Sequence, residues 1–141
     1  MRTVIGVYCI LFGLLGWVGQ LISAVHFELA QKLGLQEGRD GVDPILATAE
    51  RNAARWDVFV LWTLAVAGVL MIRNSPWWPA AALIAGAVHL DAAGREYAKL
   101  ISLKQHGLRI GTPANQTIQR VFFSLMVVTG LGIILYALRS L

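Results

Sequence analysis

Four long apolar blocks decide what this chain can fold into. They cover residues 4–25, 58–72, 77–90 and 121–138 of the 141. About 20 apolar residues in a helix cross a hydrocarbon layer about 30 Å thick, because a helix satisfies its backbone hydrogen bonds internally. The middle two blocks are shorter, so their charged flanks must also be helical. Charged residues make up 14% of the chain and hydrophobic ones 57%, whereas a soluble domain carries roughly 25% charge. The expected class is all-α: an integral membrane, antiparallel four-helix bundle in a single domain, residing in the lipid bilayer.

Punctuation residues set the helix limits. The first helix is expected over about 3–26 and reads as a retained span, since its apolar run exceeds the roughly 7–15 residues of a signal-peptide core. Its Gly6, Gly13, Gly16 and Gly19 are the small residues that let membrane helices approach closely. "FELAQKLGL", residues 27–35, suits a short amphipathic interfacial helix, followed by a loop dense in glycine and charge. Asp43 before Pro44 is a cap-plus-proline start, and the pattern predicts an unbroken second helix over 44–72. "RNSPWWP" is a tight hairpin in which Ser75 caps a third helix over 76–105, with Trp77 and Trp78 at headgroup level. Gly107 closes that helix. Thr112-Pro113 repeats the start device for a fourth helix over 113–139.

The cations fall unevenly. Nine lie toward the two long connections (Lys32, Arg39, Arg51, Arg55, Arg95, Lys99, Lys104, Arg109, Arg120) and three toward the opposite side (Arg2, Arg73, Arg139). The positive-inside bias places the long connections in the cytoplasm and both termini outside.

The stretch "AVHLDAAGREYAK" introduces His89, Asp91, Arg95, Glu96 and Lys99 within eleven residues of a membrane-like helix. Counted from the hairpin side at 1.5 Å per residue, His89 lies roughly 18 Å across, Asp91 roughly 21 Å and Arg95 roughly 27 Å. By the same count Asp57 lies at roughly 22 Å, Arg55 and Gln20 at roughly 26 Å, and Arg120 at roughly 28 Å. All four helices therefore bring a polar group to one layer near the loop side. One reading is structural. Asp91 and Arg95 form an i,i+4 pair, Asp57 pairs with Arg95 or Arg120, and Lys99, Arg55 and Arg120 snorkel to the headgroups. The other is functional, because ionisable groups inside membrane helices are costly and mark sites. His89 and Glu96 share one helix face, opposite Asp91 and Arg95, as expected around a pocket roofed by "FELAQKLGL". The ligand-pocket candidates are His89, Asp91, Arg95, Glu96, Asp57, Gln20 and Arg120.

Specific chemistries find little support. The single cysteine, Cys9, excludes an intrachain CxxC pair and with it dithiol quinone or vitamin K reductases; it reads as a small packing residue. A bis-histidine haem would need His26 and His89, which differ in depth by roughly 10 Å or more. No HxxxH, HxxE or ExxH spacing supports a metal site, and no phosphate-binding loop or nucleophile–base set is recognisable. The net charge of +4 sits on membrane flanks and does not indicate nucleic acid. The cofactor is left open.

The order of elements resembles that of the small DoxX-like four-helix membrane proteins of bacteria. It runs from an N-terminal helix through a short "LGL"-ending segment, an acidic loop and a long second helix to a Trp/Pro hairpin and two further helices. The resemblance implies a bacterial inner-membrane location, and a membrane-protein partner or a quinone. Three readings follow: a non-enzymatic module binding a lipid-like ligand, a partner membrane protein or another copy of itself; a small ion or solute transporter; or a quinone-, haem- or metal-dependent redox subunit.

Overall fold

The computed structural model describes residues 1–38 and 40–141. Among these the chain is helical: α1 (Arg2–Val25), α2 (Phe27–Lys32), α3 (Pro44–Val60), α4 (Thr63–Ile72), α5 (Trp78–Gln105) and α6 (Pro113–Leu138). Three stretches are long and apolar enough to cross a membrane: α1, the α3–α4 unit from Pro44 to Ile72, and α6. At 28 residues, α5 has the length, but its polar residues hold its hydropathy below theirs.

The second long helix is interrupted where the sequence predicts continuity. Three successive carbonyls, those of Val58, Phe59 and Val60, accept side-chain donors: Trp17 Nε1 at 2.9 Å, Trp62 Nε1 at 2.7 Å and Thr63 Oγ1 at 2.7 Å. Carbonyls drawn outward loosen the i→i−4 ladder. Leu61 and Trp62 accordingly adopt ψ values of −21° and −19°, shallower than the roughly −42° of an α-helix. The break is built by side chains, not by glycine or proline, which is why the pattern hid it.

The other boundaries move less. Asp43 occupies the cap position of α3 in an extended conformation, but its side chain makes no cap hydrogen bond. At the hairpin, Ser75 accepts from the Trp77 and Trp78 backbone N–H groups, which delays the start of α5 to Trp78. Thr112 caps α6 by accepting from the Asn115 N–H. Asn74 (φ 55°) ends α4 and Gly107 (φ 73°) ends α5. Each donates three residues back while its successor donates five back, the paired bonds of a Schellman cap.

Glycines decide which helices touch backbone to backbone. A methyl on Gly6 would come to 2.8 Å from the Gly68 carbonyl oxygen, and one on Gly13 equally close to the Ala65 nitrogen. Gly86 and Gly130 stand in the same relation: a methyl on either would come to 2.8 or 2.9 Å from the other's carbonyl oxygen. These contacts lock α1 antiparallel against α4, and α5 antiparallel against α6. Cys9, Leu64, Ala67, Met71, Ala82 and Ala85 fill the core between the two pairs. Gly16 and Gly19 behave differently from the expectation of close approach: nothing lies within 4 Å of a methyl placed on Gly19, and only the Phe122 ring edge approaches Gly16, at 3.9 Å.

At one end, Arg2 donates to Asn74 and Trp78 stacks near Tyr136, so the termini and the hairpin share that end. At the other, the two long connections are joined by a Val42–Ile110 bridge. Glu37 clasps them together. One carboxylate oxygen accepts from Thr112 N, Thr112 Oγ1 and Asn115 Nδ2 at 2.8, 3.1 and 3.0 Å. Burial disfavours its charge, but the bonds from Thr112 and Asn115 outweigh that and hold the carboxyl below its ordinary range. Gly111 (φ 105°) leaves the room this carboxylate occupies.

The glycine contacts make a direct prediction. Gly68→Ala should destabilise the protein by about 1–3 kcal/mol through overpacking, whereas Gly19→Ala should change stability by less than about 0.5 kcal/mol. Unfolding in mixed micelles checks this; equal effects at the two positions would contradict the packing described.

Candidate functional site

The contacts that bind α1 to α4 and α5 to α6 leave α1 and α6 in looser apposition. Near the hairpin end they meet through side chains: Tyr8 and Thr129 hydroxyls at 2.6 Å, and the Phe12 and Phe122 rings at 5.8 Å. Toward the loop end they part, and a cavity of about 290 Å³ opens between them. From α1 it receives Leu15, Gly16, Gly19, Gln20 and Ser23; from α6, Asn115, Ile118, Gln119, Phe122 and Phe123. The spacing of Asn115, Ile118, Gln119 and Phe122 is that of a single helix face. Glu50, Ala53 and Asp57 of α3 and Glu96 of α5 form the inner wall.

Gly34, Leu35 and Gln36, directly after α2, lie over the loop end of the cavity. The fully buried Ala30 anchors α2, and Gln36 Nε2 donates to Ser23 Oγ at 3.3 Å. The "FELAQKLGL" segment thus contributes its last residues to the roof.

Behind the inner wall, two ion-pair groups tie α3 to α5. Arg95 donates to Asp57 at 2.6 Å. Lys99 Nζ lies between Glu50 at 2.7 Å and Glu96 at 2.5 Å. Asp57, Glu50, Glu96 and Lys99 are largely withdrawn from solvent and Arg95 is half-buried; in such surroundings an ion pair persists only if each charge keeps its partner. Arg95 is a donor shared with no other carboxylate at bonding distance, so the expected Asp91–Arg95 pair is not made. The reason is geometric: Asp91 is exposed on the outer face of α5, while Arg95 turns inward to Asp57 on α3. Of the two partners considered for Asp57, Arg95 is the one bonded. Lys99 does not snorkel; it bridges two helices.

The seven candidate residues divide accordingly. Gln20, Asp57 and Glu96 line the cavity, whereas His89, Asp91, Arg95 and Arg120 do not. His89 is 3% exposed. Its Nδ1–H donates to the Ala85 carbonyl at 2.9 Å, and its ring faces Phe12 with centroids 6.2 Å apart. The pocket expected around His89, Asp91 and Glu96 is corrected on this point: the cavity meets α5 only at Glu96, about two turns nearer the loops than His89, and His89 sits in the core beneath it. Arg120 is exposed, and its backbone carbonyl accepts from Tyr97 Oη at 3.0 Å.

Sequence reasoning missed Glu50, Gln36, Asn115 and Gln119. Glu50 stands seven residues before Asp57, a spacing that returns to the same helix face; the signal was there, obscured by its place in the part of the helix expected outside the membrane. Gln36 carries no such periodic signal because it lies in a turn. Among the described residues, no group of three or more His, Cys, Asp or Glu side chains could hold a metal ion.

Comparison with known proteins yields no matching family model, no matching curated protein and no matching solved structure. The likeness to DoxX-like proteins therefore rests on the order of elements alone.

Removing the bridging cation should be costly. Lys99→Met leaves Glu50 and Glu96 facing one another without compensation, and the expected loss of stability is roughly 3–5 kcal/mol. Adding Glu50→Gln should recover part of it. Unfolding of the single and double variants measures both effects; a Lys99→Met protein as stable as the parent would show that the pair contributes nothing.

Proposed function

We propose that this chain is a multi-pass membrane protein of four antiparallel spanning helices which binds an amphipathic, lipid-like ligand between α1 and α6 and catalyses no reaction. The membrane part of this reading draws on the outward faces. Val4, Leu11, Phe59 and Val128 are each more than 60% exposed, far more apolar surface than a soluble monomer shows. The case for α5 as the fourth span is its sidedness. His89 and Glu96 turn inward, while Ala80, Ile84 and Ala87 lie outside, so the hairpin half of its bilayer-facing strip is apolar. The exposed Asp91 continues that strip one turn nearer the loops, roughly 21 Å from the hairpin end, at the loop-side headgroups. Exposed Trp56 and Trp77 suit the two headgroup belts, since the helix from residue 56 to 72 rises about 24 Å. The excess of cations near the connections supports a cytoplasmic loop side.

The observation that carries the ligand reading is the cavity itself. Its walls combine apolar side chains (Leu15, Ile118, Phe122, Phe123) with a convergent polar set (Gln20, Ser23, Glu50, Asp57, Glu96). Sites for small molecules have this composition, and 290 Å³ lies just under their usual range of roughly 300–1,000 Å³. Beneath it the glycine contacts and the Tyr8, Phe12 and Phe122 rings close the hairpin half, which favours binding over conduction.

A native mass spectrum of the protein extracted in a mild neutral detergent tests the proposal. The parent should carry a bound amphiphile. Gly19→Leu, whose side chain enters the open space beside α1, should release it without unfolding. Identical adducts on parent and variant would overturn the proposal.

A further inference from the structure

The chemistry of the cavity wall points to the charge of its occupant, given the ligand site proposed above. We infer that the polar end of the ligand is an ammonium group, so that the cavity selects a cationic amphiphile with N–H donors over neutral or anionic ones.

Three carboxylates, those of Glu50, Asp57 and Glu96, reach the cavity wall, while no lysine or arginine does. The two cations that pair with them, Arg95 and Lys99, lie behind the wall. With all five groups ionised, three acids against two bases leave one negative charge in the cluster. Glu96 gives this imbalance a location. It is 7% exposed, one carboxylate oxygen is paired with Lys99, and the other, Oε1, is buried with no hydrogen-bond partner. A buried acceptor without a donor is uncommon and costly. Gln119 Oε1, across the cavity on α6, is a second buried acceptor in the same condition. Two donors of the cluster, Arg95 Nε and Lys99 Nζ, also lack a hydrogen bond, but both side chains lie behind the wall against carboxylates. On the cavity side the two unpartnered acceptors and the surplus negative charge call for a cation with several N–H donors. A primary ammonium supplies three donors and one charge in the volume of a methyl group.

The apolar walls place the rest of the ligand. Leu15 and Ile118 lie at the rim of the cavity and are 67% and 64% exposed. A chain whose head sits at Glu96 therefore passes between α1 and α6 toward the apolar exterior. The match is to a single-chain alkylamine or a lipid with a primary amine near its chain.

Dodecylamine, dodecanol and dodecanoate share one chain and differ in head charge. Each is titrated into the protein in maltoside micelles near neutral pH, and bound adducts are counted by native mass spectrometry. Dodecylamine should bind the parent about tenfold more tightly than the other two, as a charge-assisted contact requires. Glu96→Gln should remove that preference, and Gln119→Leu should reduce it. Equal binding of all three, abolished by Gly19→Leu, would overturn the ammonium assignment and leave the ligand cavity intact. Binding of all three that is insensitive to Gly19→Leu would overturn both.

Discussion

Backbone contact at glycine is the constraint from which the rest of the arrangement follows. Gly6 with Gly68, and Gly86 with Gly130, bring two pairs of helices closer than any residue with a side chain would permit. In a bilayer, where burying apolar surface offers little drive for helices to associate, such close packing is a main source of cohesion. The two tight pairs are joined through α4 and α5, and the remaining seam, between α1 and α6, has no such glycine contact with backbone. The seam between α1 and α6 closes near the hairpin because Tyr8, Phe12, Phe122 and Thr129 are large or polar enough to bridge it. Farther along, Gly16 and Gly19 present no side chain, and the gap becomes a cavity.

The same geometry explains where the charges are. Asp57, Glu50, Arg95, Glu96 and Lys99 all lie on the α3–α5 side of that cavity, each within reach of an opposite charge. Buried pairs of this kind add little stability by themselves, but losing one partner is expensive. They therefore fix α3 against α5 in one register, and hold a polar wall at a constant position while the opposite wall, formed by α6, remains mostly apolar. The Glu37 clasp does comparable work outside the helices, joining the two long connections so that Gly34 to Gln36 stay over the cavity mouth.

Much of this was legible in the sequence. The apolar blocks and the cap-plus-proline pairs locate the long helices to within two residues at their ends, because length, periodicity and termini are local properties. The polar layer was legible as a depth, since depth follows from counting along a helix. What counting does not supply is azimuth between helices. Arg95 therefore has two candidate acids, Asp91 on its own helix and Asp57 on α3, between which counting cannot choose, and His89 falls in with a pocket it does not line. The break at Leu61 leaves no periodic signal because it is made by side chains that draw carbonyls outward, two of them local (Trp62 and Thr63) and one, Trp17, 41 residues away in sequence. In sequence the glycines of α1 form one packing stripe, yet only the first two meet a neighbour's backbone; the difference lies in what faces them.

The second half of the α1 glycine stripe borders an open, polar space within the helices, and one reactivity measurement tests this. Cys9 is 1% exposed in the closed half of the same helix and serves as an internal reference. A cysteine introduced by Gly19→Cys should react with methyl methanethiosulfonate, because thiol reactivity requires a polar environment that admits the thiolate. Cys9 should stay unmodified in the same sample. A residue-19 thiol as inert as Cys9 would mean that α1 and α6 close over this region, and would contradict the account.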